Sequence, residues 1–286
     1  MITSLKAVLE MAEAKNTAIA AFNVTNLEGI QAAIAAAEEL GEPLILAFCN
    51  SVHGPYCPLG DIGPAMVALA ERSKAPVCVH LDHGETFEEI REALELGFTG
   101  VMYDGSMLPY EQNAANTAFV VELAAQYGAQ VEAELGAMAR EEYSSAGRTD
   151  HDAEEACYTD PDLAGKFVRE TGVAGLACSF GTVHGIYLKE PKLDFDRITS
   201  LHAELGSAAV VMHGGSGISD ADMQECIRRG VRKINFYTYA SRAAGEYIRK
   251  QLDQLEGSAY FHDISVWGRE SMKKSFAEAM KVFSMK

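Results

Sequence analysis

The sequence predicts an α/β chain, a (β/α)8 TIM barrel with extra N-terminal and C-terminal helices, running as one domain over residues 1–286. Three observations predict it. Eight short apolar stretches are each followed by a segment whose apolar residues recur at helical spacing. Several of those segments close on a glycine (Gly41, Gly97, Gly128, Gly230), the common helix C-cap. No linker-like or low-complexity stretch interrupts the alternation, which is what a parallel sheet built from βα units requires. An open doubly wound sheet is the alternative architecture; eight units in this length favour closure, which leaves no sheet edge to protect.

In order, the first sixteen residues read as an amphipathic helix with acidic residues rather than as a secretion signal. Expected strands and helices then alternate: strand Ala18–Asn23, helix Leu27–Leu40, strand Leu44–Phe48, helix Ile62–Arg72, strand Val77–Asp82 and helix Phe87–Leu96. Strand Gly100–Tyr103 precedes a helix from about Tyr110 to Tyr127, and strand Gln130–Glu134 follows. Ala137–Asp160 is polar and aperiodic, the character of a lid or binding loop. Helix Asp162–Thr171, strand Gly175–Phe180, helix Phe195–Leu205, strand Ala209–Met212, helix Asp220–Arg229, strand Val231–Phe236 and helix Ala240–Leu255 complete the series. The tail from Val266 to Met285 reads as one more amphipathic helix.

A net charge of −17 opposes a nucleic-acid or anionic-membrane partner, because the mean field repels both. An anionic substrate would need local help from backbone amides, a metal or a few cations. No apolar run approaches the roughly 20 residues that span a bilayer. Six cysteines at 49, 57, 78, 157, 178 and 226 contain no CxxC pair and read as reduced thiols of a cytoplasmic protein.

The polar residues of the expected strand ends define a candidate site at the barrel's catalytic face. They are Asp82 and His83 on strand three, Asp104 after strand four, Glu134 on strand five, His184 after strand six, His213 after strand seven and Asn235 on strand eight. Three histidines and several carboxylates at one mouth suit a divalent ion with an open position, a Lewis acid for a carbonyl oxygen. The competing reading, that each histidine merely caps a strand, weakens because all three are followed by glycine. His80 lies within its strand and reads as structural and hydrogen-bonded; His53, His151, His202 and His262 have no such context. The runs VHG and HGGSG lack side chains where backbone N–H groups could approach a phosphate, and a helix N-terminus follows the second. Asn235 and Thr238 could complete that cradle.

The set HLDHG, MYDGS, VEAELG, GTVHG and HGGSG, with Asn235 after them, resembles the class II, metal-dependent ketose-bisphosphate aldolases over roughly Ser4 to Leu252. The resemblance implies a lyase that cleaves a ketose phosphate reversibly to dihydroxyacetone phosphate and an aldehyde. It implies Zn2+ on His83, His184 and His213, preferred over cobalt or iron by the histidine set. Asp104 and Glu134 would take secondary or alternative metal positions. Asp82 would handle the C4 hydroxyl proton, and Glu142 the proton exchanged on the dihydroxyacetone phosphate carbon. Gly185, Gly214, Gly215, Ser216, Asn235, Phe236, Tyr237 and Thr238 would hold the phosphate, usually beside a monovalent cation, Na+ or K+. A homodimer or homotetramer is the family's usual assembly. The chemistry agrees: C3–C4 cleavage leaves an enediolate, whose charge a Lewis acid stabilises, and needs one base and one acid.

The chain departs from that pattern on the aldehyde side. Tyr237 stands where fructose-bisphosphate enzymes carry Asp and tagatose-bisphosphate enzymes Ala, and Tyr239 where the former carry an acid. Ser241 matches the basic residue that grips the far phosphate, with Arg242 one place late; Cys49 replaces a hydroxyl, and Ala139-Arg140 a glycine pair. With Asn23, Cys49, Arg140 and Arg242 on that side, the expected substrate is a ketose 1-phosphate whose aldehyde half is not the usual phosphorylated triose. Three rivals remain: a Schiff-base aldolase using Lys233, a zinc hydrolase, and a non-catalytic sugar-phosphate binding barrel.

Overall fold

Eight parallel strands close into a barrel in chain order, β1 pairing with β2 and so on round to β8, which pairs back to β1. The structure is a computed structural model describing residues 1–136, 158–182 and 191–286. The strands are β1 (Ile19–Asn23), β2 (Leu44–Phe48), β3 (Val77–Gly84), β4 (Gly100–Tyr103), β5 (Gln130–Leu135), β6 (Gly175–Cys178), β7 (Ala209–Met212) and β8 (Val231–Phe236). Among the described residues, the helices are α1 (Leu5–Lys15), α2 (Leu27–Leu40), α3 (Asn50–His53), α4 (Leu59–Arg72), α5 (Phe87–Glu95) and α6 (Tyr110–Gln126). They continue with α7 (Pro161–Thr171), α8 (Phe195–Leu205), α9 (Asp220–Arg229), α10 (Thr238–Gln254) and α11 (Phe261–Phe283). The loop expected over Ala137–Asp160 lies outside the described residues up to 157.

Period-two alternation sorts the strand residues into two packed sets. Ala20, Phe22, Leu44, Leu46, Phe48, Val77, Val79 and Leu81 face outward into the layer covered by helices. Ile19, Ala21, Ile45, Ala47, Cys78 and Ala209 face inward and meet Leu5, Val8, Leu9 and Ala12 of α1, so the extra N-terminal helix plugs one end of the barrel with its apolar stripe. The C-terminal α11 packs on α2 and α10, and its Phe276 stacks on Phe22 with ring centroids 4.1 Å apart.

Side-chain caps fix the starts of the helices: Asn26 for α2, Thr86 for α5, Asp160 for α7, Asp194 for α8 and Ser219 for α9 each accept a backbone N–H from the first turn. Several observed boundaries differ from those expected. The helix α11 starts five residues before Val266, because Tyr260 and Asp263 form a reciprocal cap that apolar periodicity does not reveal. The helix α10 begins at Thr238, directly off β8. The four-residue α3 was not expected at all, being too short to show a period.

The strand β3 runs two residues past its expected end at Asp82, and the reason matters for chemistry. Leu81 pairs with Val101 and Gly84 with Tyr103, so Asp82 and His83 together oppose the single residue Met102. That extra residue is a β-bulge. His83 takes the left-handed conformation, φ +52°, which turns a side chain due to point outward back toward the mouth. Gly84 closes the bulge: a Cβ there would lie 2.7 Å from the Met102 carbonyl oxygen and 2.9 Å from Leu81. Gly84→Ala is accordingly expected to cost about 1–3 kcal/mol in a denaturant titration. Unchanged stability would show that the bulge has room to spare.

Candidate active site

Inward alternation places Asn23 at the end of β1, Asp82 on β3, Glu132 and Glu134 on β5, and Lys233 and Asn235 on β8 around one end of the barrel, with His213 directly after β7. All seven are buried. Asp82 is gripped from both sides: the Asn23 amide donates to one carboxylate oxygen at 2.9 Å and the Asn235 amide to the other at 3.0 Å. Burial would raise this carboxyl, but His83, His213, Lys233 and His80 together hold it well below the ordinary range. It is therefore a carboxylate, oriented, and able to accept a proton.

His83 and His213 meet edge to face, with His83 Nε2 and His213 Nδ1 3.0 Å apart. The other nitrogen of each ring is committed to a carboxylate, His83 Nδ1 to Asp104 at 2.8 Å and His213 Nε2 to Glu132 at 3.0 Å. An ionised carboxylate only accepts, so the protons sit on those outer nitrogens and the two facing nitrogens both offer lone pairs. Only a proton or a metal cation between them removes the repulsion. Burial lowers His83, but Asp82, Asp104 and Glu134 outweigh it and push the imidazole up to about 9.

The same arrangement fits a divalent ion. Facing ring nitrogens 3.0 Å apart can both stand at the roughly 2.0–2.1 Å of a zinc–nitrogen bond. The carboxylate behind each ring is the partner that fixes tautomer and raises basicity in metal-binding histidines. Asp82, His83 and His213 bring one donor atom each within 4.8 Å of one another, as do His83, Asp104 and Glu134. The chain thus holds a His/Asp/Glu cluster that could bind a metal. His184, the third expected ligand, and Gly185, Glu142 and Arg140 lie outside the described residues.

Beneath this rim is a charged layer that the sequence reading left out of the site. Lys233 Nζ lies 2.8 Å from both oxygens of Glu132, all fully buried. Burial would raise Glu132, but Lys233, His213 and His80 bring it down to about 2. The signal was present, since Glu132 shares a strand face with Glu134, and Lys233 with Asn235. Lys233 is thereby engaged as the counter-ion of the carboxylate that orients His213. His80 stands 3.6 Å from Glu132, fully buried, and neither ring nitrogen is hydrogen-bonded among the described residues, so the structure shows a buried ring beside a carboxylate rather than the hydrogen-bonded role expected of it. His202 bonds Glu13 on the surface and His262 is exposed.

The HGGSG turn sits against the end of β8. Gly214 has φ +69°, the Gly215 N–H donates to the Asn235 carbonyl, and the Ser216 hydroxyl accepts the Tyr237 N–H at 3.4 Å. A Cβ on Gly215 would fall 2.9 Å from the Asn235 carbonyl oxygen and 2.7 Å from Ile234. Thr238 opens α10 at this point, and the Phe236 ring packs edge-on to Phe22 and Phe283. Of the residues expected on the aldehyde side, Cys49 is buried at the start of α3 with Sγ 3.5 Å from Ser51 Oγ. Arg242 is 59% exposed on α10 and bonds Glu246 at 2.9 Å.

Comparisons with known proteins agree with this geometry. A family model described as fructose-bisphosphate aldolase class-II matches residues 3–286. A Bacillus subtilis (strain 168) protein named a probable fructose-bisphosphate aldolase is 37% identical over 99% of this chain and 97% of its own. The crystal structure of the YdjI aldolase from Escherichia coli K12 superposes with a TM-score of 0.86 at 33% identity, covering 99% of this chain and 97% of that one. The fructose-bisphosphate aldolase of Campylobacter jejuni, at 24% identity, shares the fold with a TM-score of 0.81 over 99% of this chain and 95% of that one. Among the described residues, no helix is long and apolar enough to cross a membrane.

Proposed function

The chain belongs to the class II fructose-bisphosphate aldolase family, metal-dependent lyases acting on sugar phosphates, and from that premise we propose that its substrate is a ketose 1-phosphate with an atypical aldehyde half. Cleavage would give dihydroxyacetone phosphate and that aldehyde, reversibly. One observation carries the reading: Tyr237 apart, which borders both halves, the residues assigned to the dihydroxyacetone phosphate half resemble the family's, whereas Tyr237, Tyr239 and Ser241 stand where a phosphorylated triose would be gripped.

His83 and His213, with His184, would hold Zn2+, and Asp104 and Glu134 would back it. When bound, the metal supplies Lewis acidity for the charge that develops on the substrate's carbonyl oxygen. Asp82, fixed by Asn23 and Asn235, takes the C4 hydroxyl proton as the C3–C4 bond breaks. Glu142 returns a proton to the dihydroxyacetone phosphate carbon. Gly214, Gly215 and Ser216, with Gly185, Asn235, Phe236, Tyr237 and Thr238, surround the phosphate, beside Na+ or K+. The positive end of α10, which starts at Thr238, offsets the chain's acidity locally. The reading also takes residues 1–286 as one domain, cytoplasmic and assembled as a homodimer or homotetramer.

The deciding experiment is a retro-aldol screen of ketose phosphates, singly and doubly phosphorylated, scored by release of dihydroxyacetone phosphate with and without a chelator. The expected result is chelator-sensitive cleavage of a ketose 1-phosphate in preference to fructose 1,6-bisphosphate. The relatives' names favour an ordinary fructose-bisphosphate aldolase; an ordinary fructose- or tagatose-1,6-bisphosphate aldolase is the alternative, and equal or better turnover of those bisphosphates would establish it instead. Chelator-insensitive release would sink the metal assignment.

A further inference from the structure

The short helix α3, directly after β2, carries a histidine that the chemistry above does not use. His53 is 4% exposed, yet neither ring nitrogen has a hydrogen-bond partner among the described residues. Leaving such groups buried and unpaired costs about 1–3 kcal/mol, so a polar ring in this state calls for an occupant. Its surroundings show where. The ring lies 4.6 Å from that of Tyr237, edge to face, and 6.1 Å from that of Phe48, the last residue of β2. Tyr237 is two residues past Asn235, whose amide holds Asp82, and the Asp82 charge acts on His53. The helix is fastened in place: α3 packs on β3, and the Asn50 side chain bonds Glu89.

Resting on the function proposed above, the geometry points to His53, edged by Tyr237, as a specificity-determining residue that hydrogen-bonds hydroxyl groups of the aldehyde half beyond C4. Burial brings the imidazole down to about 4 against the pull of Asp82, so at neutral pH it carries one N–H donor and one lone pair. That pairing suits a hydroxyl, which both donates and accepts, and gives no charge with which to grip a phosphate. The Tyr237 ring beside it supplies an aromatic surface, the kind on which the C–H groups of a polyol pack. A hydroxylated, uncharged chain next to the cleaved bond is the ligand this wall recognises.

The test compares two reactions of the metal-loaded enzyme. One is retro-aldol cleavage of the ketose 1-phosphates found in the screen; the other is exchange of the dihydroxyacetone phosphate C3 proton with deuterated solvent, which involves no aldehyde. The variants are His53→Phe, which keeps a ring without nitrogens, and His53→Gln, which keeps a donor and an acceptor. For His53→Phe, kcat/KM for cleavage should fall about tenfold more than the exchange rate, the scale of one or two lost hydrogen bonds. His53→Gln should recover part of that loss, and with acetaldehyde, which brings no hydroxyl beyond C4, as acceptor in the synthetic direction the difference should vanish. Parallel losses in cleavage and exchange, or no loss in either, overturn the inference, as does equal damage with acetaldehyde. If His53→Phe does not fold, His53→Leu takes its place, and a His53→Leu variant that cleaves every ketose as wild type does overturns the inference as well. A wild-type enzyme that exchanges no proton overturns the proposed function instead.

Discussion

Asp82→Ala is expected to lower kcat for retro-aldol cleavage by about 10²–10⁴-fold, the usual contribution of a positioned general base. It should leave most of the dihydroxyacetone phosphate proton exchange. Asp82 sits between two amides that contribute one hydrogen bond to each carboxylate oxygen, so its orientation is set before substrate arrives. In the proposed mechanism its proton transfer belongs to the C4 hydroxyl, which exchange at the other carbon does not involve. The truncation also leaves the Asn23 and Asn235 amides without their acceptor, costing about 1–3 kcal/mol of stability. Measuring cleavage, exchange and the unfolding midpoint on one preparation separates the two effects. If exchange collapsed as far as cleavage, Asp82 would be holding the site together rather than taking the proton.

The barrel was legible because its signals are local and repeated: apolar strand, helical period, capping residue. The mouth was legible only in part. Asp82 is an inward residue by alternation, but His83 should by the same rule face outward; the bulge that rescues it depends on the β3–β4 register, which no single strand encodes. Glu132 and Lys233 were readable as inward residues, yet their pairing joins positions 101 apart in the chain and follows only from closure of the barrel. His53 had no periodic context because α3 is a single turn. Arg242 lies near the expected place in sequence, and α10 presents it to Glu246, a pairing that follows from helical i,i+4 spacing.

Lys233→Met should destabilise the chain by about 3–5 kcal/mol, because it strips the counter-ion from a carboxylate with no access to water. The cost then spreads to the metal site. Glu132 is the acceptor for His213 Nε2, and that bond decides which nitrogen His213 turns toward His83. A Glu132 that gains a proton to relieve its isolation accepts more weakly from His213, so metal affinity should fall about 10–100-fold. Metal content after dialysis against graded chelator would read this. Glu132→Gln combined with Lys233→Met removes both charges while keeping an acceptor, and most of the stability should return, since a buried pair removed whole is often nearly neutral. A single Lys233→Met variant as stable and as metal-rich as wild type would mean the pair is decoration. The same engagement predicts that borohydride added with substrate traps no adduct at Lys233, because its ammonium group is bound between both oxygens of Glu132. Trapping there would move the chemistry from the histidine rim to the barrel interior.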